Sequence, residues 1–506
     1  MPTDILTAVS SPAEAGVPYA AIHRFLDVVA EQELKLHGFV MMRGNKVFAE
    51  GYYAPFHKDF MHRMYSVSKS FSAAAVGLLA GQGKISLDDR VATYFPDKIS
   101  ENLHPYVAEA TIRDLLRMAS CYSGLTYGRY CPDWTKSFFQ PELYNGRYPT
   151  HRVGTKFLYD TCAPLMCDAI VERVTGQPFM TYLVENALGE IGFSSDAWCV
   201  AAPEGYSWGG SGVVCTTRDL ARFITLLKNG GRVGDRQLLP ADFVKAATSK
   251  QIDNSNGPIN NPLVKGNGYG YQIWITKENG FAALGMGSQI GWALPDKDVV
   301  VAMTADTQGD GRPGDAYALA TAFKECVYDA IGEPYAPDPA EEARLTARLE
   351  ALTFPHQKGA KHAPMQAVIA NKTYMGNEDP AETVQGILSM SFTFDGDEGA
   401  WHYRTSRGDK VIPFGIGFNK EIRFPETHYY DKRITEAGGR EFYALSSAAW
   451  TADNQLTLRV WIADSCVGNM TAVFDFADDA LSYKMTKTAE FFLDEYDCTG
   501  TATLAE

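Results

Sequence analysis

The stretch that organises this chain is YSVSKSFSAAAVGLLAGQG, residues 65–83. Its apolar residues recur at helical spacing, which predicts a helix that begins near Ser66. Ser66 and Lys69 form the only Ser-x-x-Lys spacing in the chain, and a separation of three residues brings both side chains to one side of a helix. The helix is rich in small residues, which indicates close packing on all sides.

This pair of side chains suits nucleophilic catalysis. A serine hydroxyl attacks a carbonyl only when another group takes its proton. Lysine can take it when neutral, and burial lowers a lysine pKa from about 10.4 by several units. The N-terminus of the helix favours developing negative charge, and the Ser66 N–H can donate to an oxyanion. The alternative is an N-capping serine with a surface lysine, and spacing alone does not exclude it.

Two further stretches supply groups for the same chemistry. Tyr159, in GTKFLYDTCAP (154–164), follows a short turn and enters a predicted helix, so its hydroxyl can relay a proton; an ordinary half-buried tyrosine is the alternative. The glycine-rich strand LGMGSQIGW (284–292) lets a substrate approach the backbone, with the N–H of Gln289 as the second oxyanion donor. A bulge in an edge strand explains that glycine pattern equally well.

The surrounding elements predict one mixed domain. A helix is predicted over 18–36, and the strands 38–42 and 47–53 flank the hairpin turn Gly44-Asn45. Helices and loops dominate from about 88 to 280, and strands return at 281–294 and 299–305 before a helix at 315–331. Early and late strands therefore pair into one antiparallel sheet flanked by helices, an α+β sandwich with a helical lobe.

The second part of the chain has a different pattern. Prolines 334, 337 and 339 interrupt the helical pattern, and residues 336–365 are predicted to be a linker with one short helix. Apolar residues then alternate with polar ones, as at 388–394 and 456–462, which indicates half-buried strands. We therefore predict a hydrolase-type domain over 1–335 and a small antiparallel β domain over 366–506.

Composition excludes several classes of protein. The chain has 506 residues, 45 % of them hydrophobic, which is enough for two domains and a buried site. With 46 basic and 61 acidic residues its net charge is −15, so we expect neither a nucleic-acid nor a membrane partner. The start shows no signal-peptide pattern, and nine cysteines without a C-x-x-C pair indicate reduced thiols in a cytoplasmic protein.

Other catalytic motifs are missing from the sequence. It contains no G-x-S-x-G elbow, no phosphate-binding loop and no dinucleotide-binding glycine pattern. The ten histidines show no metal-ligand spacing and none is placed as a triad base. The sequence therefore predicts no metal and no cofactor, and it favours a lysine-based mechanism.

Six blocks of the sequence form one collinear pattern. They are YSVSKSF (65–71), GKISLDDRVATYFPD (83–97), TIRDLLRMASCYSGL (111–125), VGTKFLYDTCAPLMCDAIVERVTGQPF (153–179), GGSGVVCTTRDLARFITLLKNGG (209–231) and GMGSQIGWALPDKDVVVAMTAD (285–306). Together they resemble the serine β-lactamase and penicillin-binding-protein superfamily, and more closely its class C β-lactamase-like esterases, D-aminopeptidases and 6-aminohexanoate-dimer hydrolases. The resemblance covers roughly residues 10–332.

The resemblance implies a role for each matched residue. Ser66 matches the acylated nucleophile, Lys69 its general base and Tyr159 the partner in the proton relay. Gln289 matches the second oxyanion donor, and Gly287 and Ser288 border it. The match also implies that the fold is that of the β-lactamases and transpeptidases.

The chain departs from the family pattern at two positions. Thr161 replaces the asparagine that follows the tyrosine, and Met286 replaces the basic residue of the Lys-Thr-Gly or His-x-Gly motif. Because methionine cannot pair with the carboxylate of a penicillin or a D-Ala-D-Ala peptide, we expect weak β-lactamase and carboxypeptidase activity.

An aromatic and basic stretch, 122–152, offers a possible pocket wall. Tyr127 and Arg129 lie in it, and an arginine there, Arg129 or Arg147, is a candidate substitute for the missing charge. Trp208 and Trp292 are further candidates for the pocket. A loop packed on itself is the alternative. The C-terminal β domain is expected either to narrow the cleft or to serve stability or dimerisation, and a homo-oligomer is compatible with both.

These observations predict a serine hydrolase that acts through an acyl-enzyme on a small ester, amide or peptide-like substrate. Two alternatives stay open. One is a non-catalytic penicillin- or peptide-binding sensor on the same fold, and the other is a D-amino-acid peptidase or carboxypeptidase.

Overall fold

The computed structural model describes residues 4–122, 124, 131–144, 146–257, 261–308, 315–377, 386–427, 441–489 and 493–505. Internal contacts divide the chain into two compact units that meet in sequence near residue 353. The domain limits inferred from the sequence stay predictions. None of the helices in the described part of the chain combines the length and the apolar character that crossing a bilayer requires.

The first unit contains a six-stranded antiparallel sheet, in the order β2-β1-β11-β10-β9-β8. The expected pairing of early with late strands is confirmed, because Phe39 of β1 lies opposite Met303 of β11. Gly44, with a φ of 63°, forms the turn between β1 and β2 as predicted. The strands of this unit are β1 Leu36–Arg43, β2 Lys46–Tyr52, β3 Met61–Arg63, β4 Trp198–Cys199, β5 Val213–Thr216, β6 Arg232–Val233, β7 Arg236–Gln237, β8 Trp274–Ile275, β9 Phe281–Gly285, β10 Gln289–Leu294 and β11 Val299–Ala305.

Helices surround this sheet and form a lobe beside it. They are α1 Tyr19–Glu31, α2 Ser68–Gly81, α3 Pro105–Ala108, α4 Ile112–Leu116, α5 Trp134–Phe139, α6 Pro141–Tyr144, α7 Cys162–Thr175, α8 Phe179–Asn186, α9 Thr217–Lys228, α10 Ala241–Ala247, α11 Asp315–Phe323 and α12 Pro339–Glu350. Short 3-10 turns lie at Tyr65–Val67, Val91–Tyr94, Leu188–Ile191 and Pro295–Lys297, and a π-helix at Lys324–Tyr328 follows α11. The mixed helix and sheet class predicted from the sequence is confirmed.

Helix α2 is the centre of the lobe. It packs against α7, α8 and α10, and its residues from Ser68 to Leu79 are all buried. Small side chains permit this close packing: a Cβ at Gly77 would lie 2.4 Å from the ring of Phe243. The prediction of a helix buried on all sides is therefore confirmed.

The first predicted helix is too long at its C-terminus. Helix α1 ends at Glu31, and Leu36 already belongs to β1. Glu33 adopts a left-handed φ of 54°, which ends the helix and turns the chain toward the sheet. Periodicity misassigned Leu36 because a buried strand residue happened to fall on the helical spacing.

The second unit is a closed β structure. Its strands lie in the order β15-β14-β13-β12-β21-β20-β19-β18-β17-β16, and a parallel pairing of β15 with β17 closes the sheet on itself. The ring of Phe474 packs edge to face on two other buried rings. Its centroid lies 4.9 Å from that of Phe392 and 5.1 Å from that of Trp401. The separate β domain predicted from alternating residues is confirmed. Its elements are α13 Pro364–Ile369, β12 Thr373–Gly376, β13 Ser389–Asp395, β14 Glu398–Thr405, β15 Gly408–Ile416, β16 Lys420–Phe424, β17 Phe442–Ala452, β18 Gln455–Ala463, β19 Val467–Ala477, β20 Ala480–Ala489, the 3-10 turn Asp494–Tyr496 and β21 Thr499–Leu504.

Candidate active site

Ser66 lies in the 3-10 turn that joins β3 to α2. Every residue from His62 to Leu79 is buried except Ser66, which is half-buried and is therefore the residue of this segment that solvent can reach. The preceding Tyr65 has a φ of 46°, a left-handed conformation that costs a non-glycine residue about 1–3 kcal/mol. The guanidinium of Arg63 lies 4.6 Å from the Tyr65 ring centroid and holds that ring in place.

Lys69 reaches back to Ser66 from the first turn of α2. Its Nζ lies 2.9 Å from the Ser66 Oγ and 2.5 Å from the Gly210 carbonyl oxygen. The side chain is 1 % exposed, which excludes the alternative of a surface lysine. A neutral amine here can donate one N–H to the Gly210 carbonyl while its lone pair accepts the Ser66 proton. Burial favours this neutral form, whereas the carbonyl acceptor favours the ammonium.

Tyr159 approaches the same hydroxyl from the segment before α7. Its phenol group makes a side-chain hydrogen bond to Ser66, and the Lys69 Nζ lies 5.0 Å from its ring centroid. The ring stacks on Trp274 at 5.2 Å and an angle of 26°. Burial raises the pKa of Tyr159 above its ordinary value, and the hydrogen bond from Ser66 opposes that rise. At neutral pH the phenol therefore carries its proton and is a proton donor.

The turn between β9 and β10 comes close to this cluster. A Cβ at Gly285 would lie 2.3 Å from the Met64 carbonyl oxygen, so glycine is needed for the strand to approach the serine turn. Gly287 and Ser288 follow with φ values of 74° and 67°, which form the tight turn. The turn therefore places residues 285–289 beside the segment that carries the serine.

Side chains of this turn brace its backbone. The buried Gln289 amide donates to the carbonyls of Ala305, at 2.6 Å, and Met286, at 3.1 Å. The Ser288 hydroxyl lies 2.7 Å from that of Thr307. Met286 is half-buried and brings a thioether, with no positive charge, to the position where the family pattern has a basic residue.

The other predicted pocket residues differ in where they lie relative to the Ser66 cluster. Thr161 lies at the start of α7 and packs against the Gly210 backbone. Trp208 is completely buried, with its ring 4.8 Å from the Arg63 guanidinium, so it packs behind the site. Trp292 lies on the face of β10 opposite to Gly291, stacked edge to face on Phe323. The candidates Tyr127 and Arg129 lie outside the described residues.

The sequence analysis missed three residues that contact the cluster or its supports. Gly210 supplies the carbonyl that binds Lys69, Arg63 donates from Nε to the Ser211 carbonyl at 2.7 Å, and Asp168 accepts the Gly209 N–H at 2.7 Å. Asp168 and Gly210 lie in blocks that resemble the family, which was the available signal for them, whereas Arg63 lies two residues before the first block and had none. Among the residues that the structure describes, no group of three or more His, Cys, Asp or Glu side chains could hold a metal ion.

Comparison with known proteins identifies the class. Residues 29–323 match the family model described as Beta-lactamase, so the chain belongs to that family, whose relatives include hydrolases.

The chain is similar to a named hydrolase and to a solved structure. A 6-aminohexanoate-dimer hydrolase of Paenarthrobacter ureafaciens is 26 % identical over 311 residues, which are 58 % of this chain and 78 % of the relative. A solved structure from Bacteroides dorei, provisionally described as a β-lactamase, aligns with a TM-score of 0.50 at 17 % identity and covers 61 % of this chain and 99 % of that one. At that identity the likeness shows the fold alone.

Proposed function

We propose that this chain is a serine hydrolase that acts through an acyl-enzyme on small neutral esters. One observation carries the proposal: the Ser66 hydroxyl bonds to two groups that can transfer protons, the Lys69 amine at 2.9 Å and the Tyr159 phenol. Side chains that bond to one partly exposed serine hydroxyl from two different elements have the geometry of an activated nucleophile.

The proposed reaction begins with acylation of Ser66. The Ser66 Oγ forms a bond to the substrate carbonyl carbon, and its proton passes to Lys69. Negative charge builds on the carbonyl oxygen, and the backbone N–H groups of Ser66 and Gln289 are the proposed donors to it. When the bond to the leaving group breaks, Tyr159 protonates the departing oxygen or nitrogen and regains a proton from Lys69. Water then attacks the ester of Ser66, with the same pair transferring its proton.

The preference for neutral esters depends on Met286. A thioether offers an anion no ionic hydrogen bond, so substrates that carry a carboxylate beside the reacting carbonyl lose that contact. Amide hydrolysis is the second candidate, because the curated relative at 26 % identity is named for the hydrolysis of a dimer of an amino acid. An amide leaves as an amine, which must be protonated, and the protonated Tyr159 suits that requirement.

The test combines covalent labelling with a substrate panel. A fluorophosphonate probe should label the wild-type protein and Ser70→Ala but not Ser66→Ala. Ser70 is a matched control because it lies four residues further on, in the first turn of α2, is buried and donates to the Gln272 carbonyl at 2.7 Å. The panel contains p-nitrophenyl and alkyl esters, D-amino-acid amides and cephalosporins.

Three outcomes would contradict the proposal. Labelling that survives Ser66→Ala places the nucleophile elsewhere. Labelling without turnover of any panel member favours the binding-sensor alternative. Cephalosporin turnover that exceeds ester turnover refutes the inferred role of Met286.

A further inference from the structure

Three side chains anchor the short backbone segment 207–211, and a fourth contact joins the segment to the candidate site. The Glu172 carboxylate accepts the Ser207 N–H at 3.2 Å, and the Asp168 carboxyl accepts the Gly209 N–H at 2.7 Å. Arg63 donates to the Ser211 carbonyl at 2.7 Å. The fourth contact is the one from Lys69 to the Gly210 carbonyl, so a single segment connects these anchors to the amine beside Ser66.

The segment needs anchors because its middle is Gly209-Gly210. Two consecutive glycines have wide conformational freedom, because neither has a side chain that restricts its backbone angles. Neither position accepts a side chain here: a Cβ at Gly209 would lie 2.0 Å from the Asp168 Oδ2, and one at Gly210 would lie 2.4 Å from the Thr161 carbonyl oxygen. The position of the Gly210 carbonyl therefore depends on the hydrogen bonds of its neighbours, the Gly209 N–H to Asp168 and the Ser211 carbonyl to Arg63.

Asp168 is an unusual anchor. It lies in the middle of α7 and is completely buried, with one carboxyl oxygen bound to Gly209 and near the Ser72 hydroxyl. Its other oxygen, Oδ1, has no hydrogen-bond partner among the described residues. Burying a carboxyl group with an unused oxygen costs free energy, and this cost is borne at the residue that accepts the Gly209 N–H.

We propose that Asp168 is a positioning residue for catalysis: by holding the Gly209 N–H it sets the place of the Gly210 carbonyl, and through that carbonyl the place of the Lys69 amine. This inference rests on the proposed function, in which Lys69 takes the Ser66 proton. The route is short, because Gly209 and Gly210 are adjacent and the contacts along it are 2.7, 2.5 and 2.9 Å.

The charge state of Asp168 fits this role. Burial raises its pKa well above the ordinary value, and the nearby Glu172 raises it further. This shift favours the neutral carboxyl, which binds the segment without an anion that would stabilise the Lys69 ammonium. The groups that face Asp168 are Glu172 and Cys167 on its own helix, Ser72 on α2 and the uncharged segment 207–211, which Lys69 and Arg63 reach farther along.

The experiment measures kcat, KM and the pH profile of ester hydrolysis for Asp168→Ala and Asp168→Asn. Asp168→Ala should lower kcat by about 100-fold with little change in KM, since misplacement of a reacting group by about 1 Å has that effect. The carbonyl acceptor favours the ammonium form of Lys69, so its loss should move the rising limb of kcat/KM to lower pH. Asparagine keeps an acceptor for the Gly209 N–H, so Asp168→Asn should restore kcat to within about threefold and return the limb to its wild-type position.

Two controls separate the possible failures. Cys167→Ala removes another buried side chain from the same helix, and thermal unfolding of all variants reports general damage. An Asp168→Ala variant with unchanged kcat and pH limb overturns the inference, as does an Asp168→Asn variant that stays folded yet shifts the limb like alanine. A wild-type protein that neither labels nor turns over any ester overturns the proposed function instead.

Discussion

Replacement of Tyr159 by phenylalanine tests the proton relay with little disturbance of the fold. The ring keeps its stacking on Trp274 at 5.2 Å and its place 5.0 Å from the Lys69 Nζ, so only the hydroxyl bonded to Ser66 is lost. One hydrogen bond contributes about 0.5–1.5 kcal/mol to stability, and part of this returns because phenylalanine has no hydroxyl to desolvate. The melting temperature should therefore fall by a few degrees at most.

The catalytic loss should be much larger and should depend on the leaving group. A positioned general acid contributes about 10²–10⁴-fold, which corresponds to about 2.7–5.4 kcal/mol of the barrier. An alkoxide or an amine needs the proton that Tyr159 donates, whereas p-nitrophenolate leaves without one. We expect Tyr159→Phe to lower kcat by that factor for alkyl esters and amides and by about tenfold or less for p-nitrophenyl esters.

Steady-state kinetics with a matched pair of alkyl and p-nitrophenyl esters measures the effect. Tyr269→Phe is the control, because Tyr269 is a buried phenol whose ring lies 6.4 Å from that of Tyr159. Equal losses for both leaving groups would show that Tyr159 does not protonate the leaving group. A kcat for alkyl esters that equals that of Tyr269→Phe would remove Tyr159 from the relay altogether.

Two further predictions concern specificity and stability. Met286→His should raise kcat/KM for carboxylate-bearing substrates, relative to neutral esters, by about tenfold or more, because an ionic hydrogen bond contributes about 1.5–3 kcal/mol. Met286→Leu is the control and should leave that ratio of kcat/KM values unchanged. A ratio that Met286→His does not alter would contradict the inferred role of Met286. His62 is buried beside His37, with Nε2 3.2 Å from the His37 Nδ1, and burial lowers the pKa of His62 to about 4. The unfolded chain takes up that proton near pH 6.5 and the folded chain does not until about pH 4, so His62 by itself should lower the free energy of unfolding by about 3 kcal/mol between those values, and the buried His37 adds to the loss. His62→Phe should therefore reduce the loss measured by urea unfolding, and parallel pH dependences of the two proteins would count against this assignment.

Local patterns in the sequence predicted the elements well where one signal dominated. Alternating residues at 456–462 correspond to β18, and the Gly44-Asn45 turn joins β1 to β2. Prediction failed at the end of α1, where a left-handed Glu33 turns the chain and periodicity carries no information about such a turn. It also failed to report closure of the second unit, because the β15–β17 pairing joins residues distant in sequence.

The sequence by itself determined the family pattern, the order of elements and the candidate residues for the proposed acyl transfer. Ser66, Lys69 and Tyr159 were found because a one-turn spacing and collinear blocks are properties of the chain. Whether Lys69 lies buried or at the surface depends on what packs over α2, and only the tertiary structure decided that it is 1 % exposed.

The tertiary structure also decided which backbone group binds the lysine. Gly210 is 141 residues from Lys69, and no local pattern relates a glycine carbonyl to an amine at that distance along the chain. The pKa of a buried amine depends on its burial and its hydrogen-bond partners, and folding sets both. The residue types that the proposed chemistry needs are therefore present in the sequence, whereas the contacts that influence their protonation form only when distant segments fold together.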